Sequence, residues 1–408
     1  MRIDDMVIVS VDDHVIEPPH LFDSHLPARF RDAAPRIRKA PSGADVWVYE
    51  GRELPLGHVG EHVGFKEGAT VVVGENGQAP ISFDDIRPGC WDIHERIKDM
   101  DVNGQMTAMC FPQFPRFSGQ VFSEATDKDI AYVMLQAYND WHVEEWAGSY
   151  PGRMIPLGIL PMWDAELVAK EVRRLAGKGC HAVTFTVSPF RLGLPSLHTD
   201  FWDPMWAACA DVSTVVCMHL GSDSHPLLAS PDAPHNVQTT LAPMSTIYGA
   251  VDLIWSHVFR TYPVKVALSE GGIGWIPWLL ERIDHSLTAH SFTKQDFAGK
   301  KPSDVFREHI ITCFIDDPHG VKARHEIGVE SICVEVDYPH SDSTWPNSPE
   351  LMLKDFVGVP DDEIDQMTHL NAIHHFQFDP FVEWAREECT VGALRARASV
   401  ASDRVGAR

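Results

Sequence analysis

Eight short apolar segments, most of them followed by a helical pattern, constrain the fold of this chain more than any other feature. The first begins at Val9, and the others cover residues 105–111, 154–160, 181–186, 212–219, 264–270, 310–314 and 331–337. Helical spacing of apolar residues intervenes at 95–100, 124–149, 165–176, 203–210, 247–259, 275–285 and 321–326. Apolar strands that alternate with helices indicate a parallel sheet covered by helices, and eight of them favour closure. We therefore predict an α/β fold, a (β/α)8 barrel of the TIM type.

One barrel domain is predicted to span residues 1–391, with the segments outside the strand–helix pattern as additions to the barrel. Residues 27–90 are polar and rich in glycine and proline, with a hairpin pattern near residues 46–54. We interpret them as an insertion over the barrel mouth. Residues 349–391 are predicted to form helices outside the barrel, and residues 392–408 a flexible tail.

Charge and cysteine usage restrict the class of partner. The formal net charge of −24 disfavours binding to nucleic acid or to an anionic membrane surface, because both would repel the protein. The 8 cysteines lack CxxC spacing and lie mostly in apolar runs, which is typical of reduced, buried thiols. The sequence has no signal-peptide pattern and no apolar run of membrane-spanning length. We expect a cytoplasmic protein that acts on a small molecule.

Charged or imidazole side chains recur where the predicted strands end. They are Asp12 and His14 on the first strand, His219 on the fifth, Glu270 on the sixth and Asp337 on the eighth. The carboxyl ends of all strands meet at one face of such a barrel, so these residues are expected to share one pocket. Carboxylate oxygens combined with imidazole nitrogens suit Zn, Mn or Fe.

The first strand also indicates which of its polar residues face that pocket. Residues two apart in a strand point to the same side, so Asp12 and His14 can converge while Asp13 points away. Pro18 and Pro19 then end the strand. Glu17, just before them, is a further candidate ligand, with a supporting role behind the ligands as its alternative.

These motifs resemble the amidohydrolase superfamily, specifically the amidohydrolase-2 branch with aminocarboxymuconate-semialdehyde decarboxylase and resorcylate-type decarboxylases. The resemblance runs from Val9 to about Asn371 and is carried by Asp12-Asp-His-Val-Ile-Glu-Pro-Pro19, Val216-Cys-Met-His-Leu-Gly221, Leu268-Ser-Glu-Gly-Gly-Ile-Gly-Trp-Ile-Pro277 and Asp337-Tyr-Pro-His-Ser-Asp342. By position, it implies a metal held by Asp12, His14, His219 and Asp337.

Two departures from that family pattern shape the functional hypotheses. Asp12 stands where the family often has histidine, and Glu270 stands where the decarboxylases have their working histidine. With Glu17 included, the site would hold four carboxylates and two imidazoles, an inventory also used by carboxylate-bridged di-iron proteins. In this respect the chain resembles the nonheme di-iron monooxygenases of the superfamily, which act in terpenoid biosynthesis.

Several residues keep more than one interpretation. Glu270 is a ligand, a general base or a partner of Arg282, and His340 is a second ligand, a proton shuttle or a hydrogen-bonded loop residue. Arg116 could clamp a substrate anion or lie on the surface. Aromatic side chains, among them Phe114, Trp275 and Trp345, either line a substrate pocket or belong to the core.

The leading hypothesis is a di-iron monooxygenase that uses O2 and an electron donor to hydroxylate an apolar molecule bearing a carboxylate or thioester. In it, Asp12, His14, Glu17, His219, Glu270 and Asp337 hold the two irons. The alternative is a hydrolase or decarboxylase of a small carboxylic acid with one Zn or Mn. A metal-containing scaffold with an inactive site is a third option. A homodimer formed through the C-terminal helices is compatible with each of them.

Overall fold

Parallel strands form the centre of the molecule. The computed structural model describes residues 1–60, 63–67 and 81–406. Its strands, in chain order, are β1 (Val9–Val15), β2 (Arg36–Lys39), β3 (Asp45–Tyr49), β4 (Arg52–Pro55), β5 (Thr107–Pro112), β6 (Met154–Ile155), β7 (Ala182–Phe185), β8 (Val215–His219), β9 (Val266–Ser269), β10 (Ile310–Phe314) and β11 (Ile332–Val334).

Eight of these strands close into a barrel. Their order is β6-β5-β1-β11-β10-β9-β8-β7, and the neighbours pair in parallel. The two edges meet at Gly158, which bridges to Val183 in parallel. There the Gly158 N–H donates to the Ala182 carbonyl (3.0 Å) and the Thr184 N–H donates to the Gly158 carbonyl (2.9 Å). The predicted (β/α)8 barrel is confirmed.

Strand β6, at one edge of the sheet, is short because of the residue that follows it. Pro156 follows β6 and has no N–H to donate, so the ladder stops after two residues. Gly158 then resumes pairing where little space is left: a Cβ there would lie 2.3 Å from Cδ1 of Leu175. A glycine is therefore needed for the outer helix to approach the seam.

Helices surround the barrel. The α-helices are α1 (Leu21–His25), α2 (Ile93–Asn103), α3 (Gln120–Ser123), α4 (Lys128–Trp141), α5 (Ala165–Ala176), α6 (Asp203–Asp211), α7 (His235–Leu241), α8 (Met244–Trp255), α9 (Val258–Thr261), α10 (Ile276–Ala289), α11 (Pro302–His309), α12 (Pro318–Lys322), α13 (Arg324–Ile327), α14 (Ser348–Asp355), α15 (Asp361–Asp365), α16 (Asn371–His375) and α17 (Val391–Gly406). Across the described ranges, no helix is both long and apolar enough to cross a membrane.

Shorter helical segments complete the list. Two π-helical segments, His142–Ala147 and Gln366–Leu370, continue α4 and α15. The 3-10 helices are Ile3–Asp5, Ala28–Ala33, Pro88–Cys90, Phe190–Leu192, Asp200–Trp202, Ser291–Thr293, Val329–Ser331, Pro380–Val382 and Arg386–Glu388.

Apolar side chains fill two layers. One lies inside the barrel and takes residues such as Val11, Met109 and Cys217 from alternate strand positions, together with Phe376, which follows α16. The other, larger layer fills the space between strands and helices. Because both faces of each strand are covered, the strands read as continuous apolar runs, and polar residues within them need a special reason.

The predicted insertion contains a small antiparallel sheet in the order β2-β3-β4, and the predicted hairpin is the β3–β4 pair. Residues 61–62 and 68–80 of the insertion lie outside the described residues. The Gly60 N–H donates to the Pro339 carbonyl (2.7 Å), which joins the insertion to the loop after β11. This part of the chain therefore reaches the barrel mouth.

The end of the chain differs from the predicted flexible tail at 392–408. Helix α17 occupies most of it, and the side chains of Val391 and Leu394 are fully buried. The Val391 N–H donates to the Met6 carbonyl (2.8 Å), and Arg395 pairs with Glu350 (2.6 Å). The sparse apolar residues of this segment give it a weak amphipathic pattern, so the sequence does not indicate a helix there.

Candidate metal centre

The polar residues of β1 reach the barrel mouth through an irregularity in the strand. The pairing register with β5 shifts between Ser10 and Asp13. Such a bulge lets Val11 stay in the apolar interior while Asp12 and His14 turn towards the mouth. Asp13 points elsewhere, and its carboxylate accepts hydrogen bonds from the Tyr338 N–H (2.9 Å) and Gln105 Nε2 (2.8 Å).

His219, the last residue of β8, presents one defined nitrogen to the same site. Its Nδ1 lies 2.6 Å from the Leu220 carbonyl, so Nδ1 carries the proton and donates it there. Nε2 is therefore left as an acceptor. It faces Oδ2 of Asp12 at 3.4 Å and Oε2 of Glu270 at 2.9 Å. This is the tautomer that a metal-binding histidine requires.

Two overlapping groups of ligand atoms share His14. Asp12, His14 and His219 form one, and His14, Glu270, Asp337 and His340 form the other. Nε2 of His14 lies 3.1 Å from Oδ1 of Asp337 and 3.5 Å from Oδ1 of Asp12. Five residues from four strand ends, and His340 beyond the last of them, thus lie together at the barrel mouth.

His340 is held from two sides. Its Nδ1 lies 3.0 Å from Oδ1 of Asp337, and Gln113 donates to its Nε2 across 2.6 Å. Its ring also stacks on that of His14, with centroids 3.6 Å apart. These contacts fix both imidazoles relative to Asp337.

Four of the predicted ligands carry buried polar atoms without a hydrogen-bond partner among the described residues. These atoms are both carboxylate oxygens of Asp12 and Asp337, both ring nitrogens of His14, and Nε2 of His219. Leaving one such group unpaired costs about 1–3 kcal/mol. Because nearly all of them are acceptors that face each other, a divalent cation fits the group better than further donors would.

The electrostatics of the site lead to the same conclusion. Burial, together with Glu335 and Glu270, raises the pKa of Asp12 well above its usual range. Burial, with Glu270 and Glu335 again, raises the pKa of Asp337 well above its own. Burial lowers the pKa of His14 well below normal, so its ring is neutral and available as a ligand. Crowded carboxylates beside neutral imidazoles are what a cation would stabilise.

A cavity of about 980 Å³ opens in front of this group. Glu270, Asp337 and His340 line it, and so does Glu335, which the sequence analysis did not single out. Glu335 is fully buried, and burial raises its pKa to about 8. Its Oε2 accepts hydrogen bonds from the Cys313 thiol (2.7 Å) and the Glu270 N–H (3.1 Å). The signal for it was a carboxylate inside the apolar run 331–337.

The insertion and the segment after β8 also reach the cavity. His58 from the insertion and three residues of α7, His235, Asn236 and Thr239, lie on its wall. The sequence pattern assigns no role at this site to His58. Loops that converge from distant parts of the chain carry no sequence pattern that reveals their meeting point.

Glu17, a predicted iron ligand, belongs to neither group of ligand atoms. Its carboxylate accepts hydrogen bonds from the N–H groups of Gln113 (2.9 Å) and Phe114 (2.7 Å) and from the Tyr138 hydroxyl (3.1 Å). Burial raises its pKa to about 7. The structure thus uses Glu17 to hold the loop after β5, which corresponds to the supporting role considered as its alternative.

The four residues predicted to bind substrate lie elsewhere, and none lines the described part of the cavity. Arg116 pairs with Glu124 at 2.5 Å on the surface. Phe114 packs on Trp47, with ring centroids 4.5 Å apart. Indole N–H groups are also engaged: Trp275 donates to the Gly271 carbonyl (2.9 Å) and Trp345 to the Asp99 carbonyl (2.9 Å). Core packing and ion pairing explain their positions.

Comparison with known proteins yields a curated relative and solved structures of the same fold. The γ-resorcylate decarboxylase of Polaromonas sp. strain JS666 is 26% identical over 275 residues, which cover 62% of this chain and 79% of that protein. An amidohydrolase of Mycobacterium avium subsp. paratuberculosis K-10 superposes with a TM-score of 0.69 at 20% identity, covering 91% of this chain and 99% of that one.

A third similar protein was solved with a metal. The dihydroxybenzoic acid decarboxylase of Polaromonas sp. JS666, with bound manganese and the inhibitor 2-nitroresorcinol, has a TM-score of 0.61 at 17% identity. The comparison covers 93% of this chain and 98% of that one.

These findings contradict the leading hypothesis of a di-iron monooxygenase. The curated relative is a decarboxylase, and the metal bound in the third protein is manganese. Two irons were suggested by the number of carboxylates at the site. Glu17 is not available as one of these ligands, because its oxygens accept hydrogen bonds from Gln113, Phe114 and Tyr138. The requirement for O2 and an electron donor falls with that hypothesis.

The family itself is shown by a match over most of the chain. The amidohydrolase family model matches residues 23–378, a span that includes His219, Glu270 and Asp337. Because this span runs through most of the barrel, the chain belongs to the amidohydrolase family of metal-dependent enzymes.

Proposed function

We propose that this protein is a decarboxylase that uses one Mn or Zn ion to remove CO2 from a small carboxylic acid without oxidation. The observation that carries the proposal is the set of buried, unpartnered acceptor atoms on Asp12, His14, His219 and Asp337 beside an open cavity. The decarboxylase activity of the curated relative supports the choice of reaction.

In this proposal the four residues hold the ion, and the ion when bound supplies Lewis acidity that orients and polarises the substrate carboxylate. His219 contributes Nε2, because its Nδ1 proton is committed to the Leu220 carbonyl. Phe117 and Phe111 pack against the His219 ring, with centroids 4.2 and 4.9 Å apart, and keep that ring in place.

Glu270 is the proposed proton donor. Its carboxylate lines the cavity 2.9 Å from Nε2 of His219, next to where the substrate carboxylate would bind. As the bond between the carboxylate and its carbon breaks, CO2 leaves and the electron pair on carbon takes the Glu270 proton. A proton from solvent then restores Glu270 through the open cavity. His340 holds Asp337 and is the second group able to move a proton here.

Hydrolysis is the second candidate, and Glu270 is the observation that favours it. A glutamate at this position can take a proton from an attacking water and pass it to a leaving group. The products separate the two reactions: hydrolysis incorporates oxygen from labelled water, whereas decarboxylation releases CO2 and replaces the carboxyl group by hydrogen.

The test begins with protein stripped of metal and reloaded with Mn²⁺ or Zn²⁺, incubated without O2 with hydroxy- and amino-substituted benzoates. We expect CO2 release that depends on the metal. Glu270→Gln should lower kcat by about 100-fold or more, the usual scale for a lost acid–base group, while the metal content stays near one per chain. CO2 release by metal-free protein would refute the proposal.

A further inference from the structure

The wall of the cavity is acidic and lacks lysine and arginine. Six carboxyl groups line it, on Glu270, Asp316, Asp317, Glu335, Asp337 and Asp342, and no lysine or arginine among the described residues does so. None of the six forms a salt bridge with lysine or arginine in the described ranges. Residues 61–62 and 68–80 contain neither of these basic residues in the sequence.

The inner part of the cavity leaves no charge of the ion to spare. Asp12 and Asp337, without the proton donor Glu270, already match the charge of one divalent ion. A substrate carboxylate that binds at the ion therefore leaves an excess of negative charge. No lysine or arginine among the described residues of the wall would compensate a second acidic group on the same substrate.

The outer carboxylates differ in how far they are engaged. Asp317 accepts hydrogen bonds from the N–H groups of Ile273 (2.8 Å), Gly274 (2.6 Å) and Gly320 (2.8 Å), which offset its charge. The carboxylates of Asp342 and Asp316 accept no hydrogen bond from the described residues, and both residues are exposed at the mouth. These two are available to a ligand.

The cavity is also larger than a bare benzoate requires. At about 980 Å³ it lies at the upper end of the range for small-molecule sites. A substrate held by its carboxylate at the ion would extend towards Asp342 and Asp316. The charge of the group at that remote end therefore determines whether these two aspartates attract or repel the substrate.

We propose that the substrate is a carboxylic acid whose remote end carries an amine in its cationic form, and not a second acidic group. This inference rests on the proposed function, because it assumes that the substrate carboxylate binds at the ion. Asp342 and Asp316 are then specificity-determining residues that attract the ammonium group.

The experiment measures equilibrium binding to the Mn-loaded full chain by calorimetry. The probes are 3-(aminomethyl)benzoate, the uncharged analogue 3-ethylbenzoate, and isophthalate with its second carboxylate. We expect affinity to fall in that order, with about tenfold or more between the first and the last. Equal or tighter binding of isophthalate would overturn the inference.

Two variants test the residues named. Asp342→Asn, and Asp316→Asn if the first does not fold, should reduce the preference for the aminomethyl probe several-fold. Glu330→Gln removes the same charge from an exposed residue before β11, at the opposite end of the barrel, and should leave the preference unchanged. An unaltered preference in both aspartate variants would contradict the assignment.

Two further readouts separate this inference from the proposed function. Elemental analysis should find one metal ion per chain, since a second divalent ion would cancel the excess charge and remove the basis of the inference. If the aminomethyl probe binds best but no acid in the series releases CO2, decarboxylation fails while the charge inference stands. If isophthalate is decarboxylated fastest, the charge inference fails while decarboxylation stands.

Discussion

The backbone N–H of Glu270 donates a hydrogen bond to Oε2 of Glu335 across 3.1 Å. This contact joins the ends of β9 and β11. It holds Glu270 in a left-handed conformation, φ 57°, which is unfavourable for a residue with a side chain. Glu335 therefore positions the residue that we propose moves the proton.

Glu335→Ala removes that acceptor and leaves the Glu270 N–H unpaired, at a cost of about 1–3 kcal/mol. We expect kcat to fall by about 10- to 100-fold with KM and metal content little changed. Glu335→Gln keeps an acceptor oxygen and should recover much of the loss. Steady-state kinetics with metal analysis is the measurement, and unchanged kcat in the alanine variant would exclude a positioning role.

Asp12→Asn should separate metal binding from stability. The amide lacks the charge that binds a cation, so metal content should fall at least tenfold. Without metal, the variant should unfold at higher urea than the wild type, because it no longer buries a carboxylate among others.

The matched control for that prediction is the neighbouring buried carboxylate. Asp13→Asn alters a residue bonded to Tyr338 and Gln105 on the other side of β1, so it should keep the metal and lose about 1–3 kcal/mol of stability. If both variants lose metal equally, the assignment of Asp12 as a ligand is not specific.

Arg116 should be dispensable for turnover. Its side chain is 40% exposed and pairs with Glu124, and exposed ion pairs contribute about 0–1 kcal/mol. We expect Arg116→Ala to change kcat/KM by less than about twofold. A loss of 100-fold, chiefly in KM, would instead restore the substrate clamp that the sequence suggested.

His142 should make stability fall at acidic pH. The buried ring lies 3.2 Å from the Cys110 carbonyl through Nε2 and 3.4 Å from the Leu157 N–H through Nδ1, an arrangement that only the neutral form satisfies. Burial lowers its pKa to about 4. Between the unfolded value of about 6.5 and this value, the unfolded chain binds a proton that the folded chain does not, which costs up to about 3 kcal/mol.

Urea unfolding from pH 7 to pH 4 measures this effect. His142→Gln should show a shallower loss of stability over that interval than the wild type. His290→Gln, which alters an exposed histidine, should follow the wild type. Parallel curves for all three proteins would show that His142 is not the source.

The sequence was most informative where a residue type contradicts its surroundings. Asp12, His14, His219 and Asp337 each interrupt an apolar strand, and barrel topology brings such interruptions to one face. Glu335 interrupts the same run as Asp337 but lies two residues before its end, so the pattern of polar residues at strand ends does not include it. The bulge in β1 left no signal, because its residues are all buried and no period is visible.

Loop residues were predicted less well for a physical reason. Whether Arg116 meets a substrate or Glu124, and whether Phe114 faces a cavity or Trp47, depends on tertiary contacts that local patterns do not encode. Glu17 shows the same limit. A glutamate at this position suits a metal ligand, yet two backbone N–H groups and a hydroxyl donate hydrogen bonds to its carboxylate oxygens.

The seam at Gly158 has a consequence for how the molecule opens. The junctions β1–β5, β7–β8, β8–β9, β9–β10 and β10–β11 each pair three or more residues, whereas this one depends on a single glycine that exchanges two hydrogen bonds with the adjoining edge. Thermal fluctuations should therefore part the wall here more readily than along those ladders, so that the Thr184 amide exchanges with deuterium sooner than amides midway along β8 and β9. The barrel wall can then open locally at this seam while the longer ladders stay paired.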